Sequence, residues 1–232
     1  MTNAPIDLRA RAHQAMLDAG FRPDFPADVL GEMQLLKQGP PKGNGPLVRD
    51  LRSLRWSSID NDSSRDLDQV EYVEKLPDGA SRLLIGIADV DGSVPKGSAT
   101  DRQAAVETTS VYAGVTTFPM LPGELSTDLT SLVDAQDRVA IVIELHILDS
   151  GDVDAHEVYP ARLRNRAKLA YSSTGAWLEG HAPMPATVAR VPGLEAQLRL
   201  QLETSGRLRG LRKQHGALTF GSVEAMKRLN SS

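Results

Sequence analysis

The chain has 232 residues, of which 41% are hydrophobic, so it can bury the core of at least one sizeable domain. Its net charge is −4, and the absence of cysteine excludes disulfide bonds and metal sites with thiolate ligands. The sequence also lacks a long apolar run and an N-terminal signal pattern. We therefore expect a cytoplasmic protein without a membrane partner.

The spacing of apolar residues predicts two short helices, over residues 6–20 and 27–37. The stretch 38–45 that follows contains three glycines and two prolines, which is typical of a connector. We therefore expect residues 1–46 to form a helical lead-in with a Gly- and Pro-rich connector, and residues 47–232 to form one larger domain.

Strand patterns dominate the first part of that larger domain. Two apolar or alternating runs flank Pro77-Asp78-Gly79, which predicts a β-hairpin. The predicted strands cover residues 70–76, 83–90, 139–148 and 157–163, and the predicted helices cover residues 169–178 and 193–213. This irregular order favours an α+β fold, a mixed sheet with packed helices, over a doubly wound sheet. We accordingly expect no dinucleotide cofactor.

An acidic stretch between residues 60 and 71 is the main candidate site. It contains five carboxylates, which are those of Asp60, Asp62, Asp66, Asp68 and Glu71. Like charges this close remain ionised together only if a cation neutralises them or if some pKa values rise. The stretch therefore predicts a site for a hard divalent metal, with a solvated acidic loop as the simplest alternative.

A calcium-binding EF-hand loop is a second alternative for the same stretch. Counted from Asp60, oxygen-bearing side chains fall at most of the positions that ligate calcium in such loops. The sixth position requires glycine but carries Arg65, and the residues that follow alternate as a strand instead of forming an exiting helix. Both features oppose an EF-hand.

Several motifs follow one another in an order typical of one enzyme family. The most specific is Pro119-Met120-Leu121-Pro122, and Ser58-Ile59-Asp60 precedes Asp66-Leu67-Asp68 in the acidic stretch. The remaining motifs lie at residues 49–52, 85–90, 109–112, 125–126, 129–132, 137–138, 167–171 and 216–220. Over residues 47–225 the chain thus resembles the RNase II / RNase R family, the exoribonucleases with an RNB domain.

The resemblance implies the fold of a partial RNB catalytic domain and an activity. The activity is 3′→5′ hydrolysis of single-stranded RNA to nucleoside 5′-monophosphates, assisted by one or two Mg²⁺ ions. It implies metal ligation by Asp60, Asp66, Asp68 and Gln69, with Asp66 and Asp68 as the catalytic aspartates. It also implies that Tyr112, Tyr171 and Phe220 contact the RNA.

A row of basic residues, Arg162, Arg164, Arg166 and Lys168, is a further candidate for RNA binding. Strand alternation would place all four side chains on one face. The row either lines the path of the RNA, as we expect for Arg164, Arg166 and Lys168, or is an ordinary solvated strand.

Three departures from the family pattern bear on activity. Gln69 replaces an aspartate and predicts weaker Mg²⁺ binding, and Gly86 replaces a histidine. The family's later catalytic glutamate and arginine and its S1 domain do not lie before Ser232. We therefore expect a fragment or a truncated protein. The alternative function is a catalytically impaired RNA-binding or regulatory module.

Overall fold

The structure is a computed structural model that describes residues 6–37 and 48–218, and these fall into two compact units. The helical unit contains residues 6–37 and 90–125, and the sheet unit contains residues 48–89 and 126–218. The α-helices are α1 (Leu8–Asp18), α2 (Ala27–Lys37), α3 (Ala99–Glu107), α4 (Tyr171–Leu178), α5 (Ala186–Ala189) and α6 (Leu194–Gln214), and residues Leu125–Leu129 form one turn of π-helix. The strands are β1 (Arg49–Asp50), β2 (Trp56–Asp60), β3 (Gln69–Lys75), β4 (Ser81–Ala88), β5 (Val111–Tyr112), β6 (Thr117–Phe118), β7 (Asp137–Ile147) and β8 (Val153–Ala170). None of the described helices has the length and hydropathy that a membrane span requires.

The helical unit is held together by side chains that satisfy helix N-termini. Asp7 accepts hydrogen bonds from the amides of the first turn of α1. Glu32 of α2 reaches the start of α3, where it accepts from the amides of Ala99 (2.7 Å) and Thr100 (2.9 Å). A carboxylate at a helix N-terminus pairs amides that have no partner within the helix and complements the helix dipole. Glu32 thereby fixes α3 against α2.

The sheet unit is built on a sheet that closes on itself. Its strand order is β1-β8-β2-β3-β4-β7, and β7 also pairs with β8. This closure depends on the 18 residues of β8. Its first part pairs with β7 in antiparallel register, and residues 165–170 pair with β2 in parallel register. Asn165 lies at the change of partner, fully buried, where its amide donates to the Ser58 hydroxyl and the Leu132 carbonyl.

Apolar side chains fill both faces of this closed sheet. The interior cluster consists of Trp56, Val70, Tyr72, Leu84, Leu132, Ala140, Val142, Tyr159, Ala161 and Leu163. On the outer face, helices α4 and α5 pack on β8 and α6 packs on β3, and a cluster that includes Trp177, Leu194 and Leu198 joins them. Burial of these side chains is the dominant favourable contribution to folding. It positions the strand ends that carry the candidate site.

Most predicted elements are confirmed, with differences at the boundaries. The α+β class, the hairpin of β3 and β4, and the helix over residues 27–37 are as expected. The helix predicted over 169–178 begins only at Tyr171, because residues 169–170 still pair with β2. The strand predicted over 157–163 is part of the much longer β8. Sequence patterns did not predict β2 or α3, and the connector at 38–45 lies outside the described residues.

The glycine that replaces the family's histidine lies in the sheet interior. A Cβ atom on Gly86 would lie 2.7 Å from Leu163 Cδ2 and 3.1 Å from Val70 Cγ2. Both neighbours are buried core residues, so a side chain at this position would force the core to repack. Gly86 is therefore a packing feature of this chain.

Candidate active site

The acidic residues lie where β2 ends and β3 begins. Asp60 is the last residue of β2 and Gln69 is the first of β3, and we call residues 61–68 between them the acidic loop. Within it, Asp66 and Asp68 are exposed on either side of Leu67, whose side chain is 3% exposed. The buried leucine anchors the loop so that both neighbouring carboxylates face solvent.

The basic residue Lys168 holds the first half of the acidic loop. Its ammonium donates hydrogen bonds to the carbonyl oxygens of Asp62 (3.4 Å) and Ser64. The hydroxyl of Ser172 donates to the carboxylate of Asp62 at 3.0 Å. The expectation that Lys168 contacts RNA stays a prediction, and in the structure its partners are protein carbonyls.

Tyr171 shares its surroundings with three of the carboxylates. It is the first residue of α4, directly after β8, and its side chain is 55% exposed. Partial burial raises the pKa of its phenol, and the negative charges of Asp60, Glu71 and Asp68 raise it further. Burial also raises the pKa of Glu71. The end of β2, the start of β3 and the end of β8 therefore place one tyrosine where the charges of three carboxylates act on it.

The oxygen ligands at this site suit a hard divalent cation, although they are not gathered into a closed cage. Among the described residues, no three carboxylate or imidazole groups are close enough to hold one ion as they stand. Within the same residues, no cationic side chain forms an ion pair with Asp60, Asp66 or Asp68. Open clusters of a few carboxylates are typical of Mg²⁺ sites that also use water and substrate oxygens. The donor set therefore fits such an ion.

The EF-hand alternative is wrong. An EF-hand loop leads into a helix, whereas the acidic loop leads into β3, which pairs with both β2 and β4. Gln69 at the start of β3 points its amide towards Glu71, with 3.5 Å between Nε2 and Oε1. A neutral amide thus lies beside a carboxylate at the position where the family carries an aspartate.

The basic row on β8 alternates with buried residues, and a register shift against β2 falls at residues 165–167. Residues 162, 164, 166 and 168 are exposed or half-buried, whereas the residues between them are buried. Arg164 donates to the carboxylate of Asp137, and Arg166 donates to the carbonyl of Arg52. Part of the positive charge is therefore used within the protein. RNA contact by Arg164 and Arg166 stays a prediction.

Neither of the two remaining aromatic candidates is among the described residues of the sheet unit. Tyr112 belongs to β5 of the helical unit and is 74% exposed. Phe220 lies outside the described residues, so its expected RNA contact stays a prediction.

Sequence reasoning missed one residue of the site, Ser131, and gave no separate role to another, Glu71. Glu71 is one of the five carboxylates of the acidic stretch but is not among the expected ligands, and its charge acts on the Tyr171 phenol. Ser131 was assigned no role, yet its hydroxyl bonds to the backbone on both sides of Asp66. The only signal for Ser131 was its place in the motif at residues 129–132.

The family that these features define is shown by sequence comparison. The RNB domain matches residues 48–231, and the chain therefore belongs to the RNB family. Ribonuclease R of Thermotoga maritima is 32% identical over 195 residues, which is 84% of this chain and 27% of that protein. The chain thus spans about a quarter of the length of this relative.

Structural comparison leads to the same family. An RNase R from Mycoplasma genitalium, solved in complex with ribose methylated single-stranded RNA, matches with a TM-score of 0.80 and 26% identity. The match covers 92% of this chain and 33% of that one. A yeast pseudonuclease shares the fold with a TM-score of 0.52 at 15% identity, over 62% of this chain and 18% of its own. The fold therefore occurs both in a ribonuclease and in a pseudonuclease.

Proposed function

We propose that this chain carries the metal-binding part of an RNB-type active centre in the cytoplasm. The proposed reaction is 3′→5′ hydrolysis of single-stranded RNA to nucleoside 5′-monophosphates with Mg²⁺. The observation that carries the proposal is the set formed by the half-buried Asp60 and the exposed Asp66 and Asp68, which no cationic side chain of the described residues neutralises. The family membership and the RNA-bound relative support the same reaction.

In this proposal each residue has a definite task. Asp60, Asp66 and Asp68 hold the cation, and the amide oxygen of Gln69 adds a neutral ligand. A divalent ion held there would supply Lewis-acid chemistry, since it would lower the pKa of a water and stabilise the leaving oxygen of a phosphodiester. Tyr171, which is exposed beside the carboxylates, orients the 3′-terminal nucleotide. Stacking of a base on an aromatic ring contributes about 1–3 kcal/mol and tolerates any sequence.

A second candidate function is RNA binding without cleavage. Gln69 favours it, because replacing a carboxylate with an amide removes one negative charge from the site. The fold shared with the yeast pseudonuclease supports the same alternative.

The two functions are separated by an assay with 5′-labelled single-stranded RNA and Mg²⁺. The proposed enzyme shortens the RNA from its 3′ end, and Asp68→Asn abolishes the ladder of products. The matched control is Asp149→Asn, the same chemical change at the opposite end of the sheet unit, which retains activity. RNA retained on the protein without products would instead establish the binding module.

A further inference from the structure

The dipeptide Ser131-Leu132 bonds to the acidic loop at three backbone atoms. The Ser131 hydroxyl accepts from the Leu67 amide at 3.0 Å and donates to the Arg65 carbonyl at 3.0 Å. The Leu132 amide donates to the Leu67 carbonyl at 2.7 Å. These bonds enclose Asp66 and leave its side chain free to face solvent.

The dipeptide is itself fixed by two other side chains. The Arg138 guanidinium donates from Nε to the Ser131 carbonyl at 3.1 Å, and the Asn165 amide donates to the Leu132 carbonyl at 2.8 Å. Asn165 is fully buried at the point where β8 changes partner. The acidic loop is therefore bonded to the dipeptide Ser131-Leu132, which residues of β7 and β8 hold in place.

Burial makes the Ser131 hydroxyl hard to replace with water. Ser131 is 1% exposed and Leu67 is 3% exposed, while Leu132 is fully buried. A buried amide that loses its partner bears the full cost of desolvation. Without the hydroxyl, the backbone around Asp66 would have to open towards solvent to satisfy the Leu67 amide.

We propose that Ser131 is a positioning residue that sets the places of Asp66 and Asp68 for cation binding. The proposal rests on the proposed function, which assigns these aspartates as metal ligands. Asp68 is fixed on its other side as well, because its carbonyl accepts from the Ala88 amide at 2.9 Å. The backbone is thus fixed at Arg65 and Leu67 by Ser131-Leu132 and at Asp68 by Ala88. Ser131 therefore helps to set the positions of the Asp66 and Asp68 carboxylates.

The test compares Ser131→Ala with Ser81→Ala in the full chain. Ser81 is a matched control, because its hydroxyl is buried without a hydrogen-bond partner and it lies at the other end of β4 from Ala88. Two quantities are measured: Mn²⁺ affinity by electron paramagnetic resonance, and amide hydrogen exchange of Leu67 by NMR. The Leu84 amide in the sheet reports on folding.

We expect Ser131→Ala to weaken Mn²⁺ binding by about 10–100-fold, the usual loss when a residue that orients metal ligands is removed. The Leu67 amide exchanges at least tenfold faster, the Leu84 amide does not change, and Ser81→Ala resembles the native protein. Native Mn²⁺ affinity in Ser131→Ala overturns the proposal, as does equally fast Leu67 exchange in both variants. A native protein that binds no Mn²⁺ refutes the proposed function, and Leu67 exchange then decides by itself whether Ser131 holds the loop.

Discussion

The acidic residues at the two ends of the sheet unit differ in whether they form ion pairs. At the end with the turns between β3 and β4 and between β7 and β8, Asp149 pairs with Lys75 (3.0 Å) and Arg207 (2.7 Å). His146 lies between Asp78 and Asp154, and these carboxylates raise the pKa of its imidazole. At the end with the acidic loop, the described residues provide no ion pair for Asp60, Asp66 or Asp68.

This difference separates structural carboxylates from the candidate ligands. Asp137 is the first residue of β7, and its carboxylate oxygens lie 2.8 Å from a guanidinium nitrogen of Arg52 and 2.5 Å from one of Arg164. Its charge is therefore compensated within the fold. Acidic residues that the fold leaves uncompensated repel one another and contribute nothing evident to stability. Such local violations of stabilising rules are expected at functional sites.

The largest effect should come from removing single carboxylates of the two kinds. Asp68→Asn is expected to reduce the rate of RNA hydrolysis by about 100-fold or more. Removal of one electrostatic contact in an active site has an effect of this size in other enzymes. Without metal, the same variant should unfold at the same or a higher denaturant concentration, because repulsion falls. Asp137→Asn should do the opposite, lowering the unfolding midpoint while hydrolysis persists under native conditions. Equal loss of stability in the two variants would contradict the distinction between them.

Restoring a charge to the acidic end should have the next largest effect. Gln69→Asp adds the carboxylate that the family carries and should lower the half-saturating Mg²⁺ concentration by about tenfold, a gain of about 1.4 kcal/mol. Mg²⁺ titrations of hydrolysis in the native chain and the variant measure this change. Equal half-saturation values would show that other carboxylates already supply the charge, and the Glu71 carboxylate lies 3.5 Å from the Gln69 amide.

The sequence was most informative where local patterns and family motifs coincide. The hairpin of β3 and β4, the helix Ala27–Lys37 and the alternating exposure of residues 162–168 all follow from short-range periodicity. The acidic stretch was found from the density of its charge. These features depend only on neighbouring residues, so they can be read without a structure.

The features that could not be predicted from the sequence depend on contacts between distant segments. β2 contains two serines that are buried in the sheet, and its serine-rich pattern does not resemble an apolar strand. The closing pairing of β8 with both β7 and β2 is likewise a tertiary feature. The bonds from Ser131 to the acidic loop span more than sixty residues. No local pattern predicts such a partner.

Acid should weaken the ion pairs of Asp137 with Arg52 and Arg164. Hydrogen bonds from Arg164 and Arg52 lower the pKa of Asp137 to about 2, below its usual value near 3.9. A depressed pKa means that the folded state binds the proton less readily than the unfolded chain. The contribution of Asp137 to stability is therefore complete above about pH 4 and is lost as the pH falls towards 2. Urea unfolding across this window should show a smaller loss in Asp137→Asn, and an identical loss would exclude Asp137 as a source.

The smallest effect should come from the exposed pair at the far end of the sheet unit. The side chains of Lys75 and Asp149 are 42% and 70% exposed, so water and salt screen their attraction. Exposed ion pairs of this kind often contribute nothing measurable. Arg207 also remains bonded to Asp149 when Lys75 is removed. Lys75→Met should therefore leave the urea midpoint, its salt dependence and RNA hydrolysis unchanged. A loss of stability as large as that of Asp137→Asn would mean that charge compensation matters equally at every part of the sheet unit.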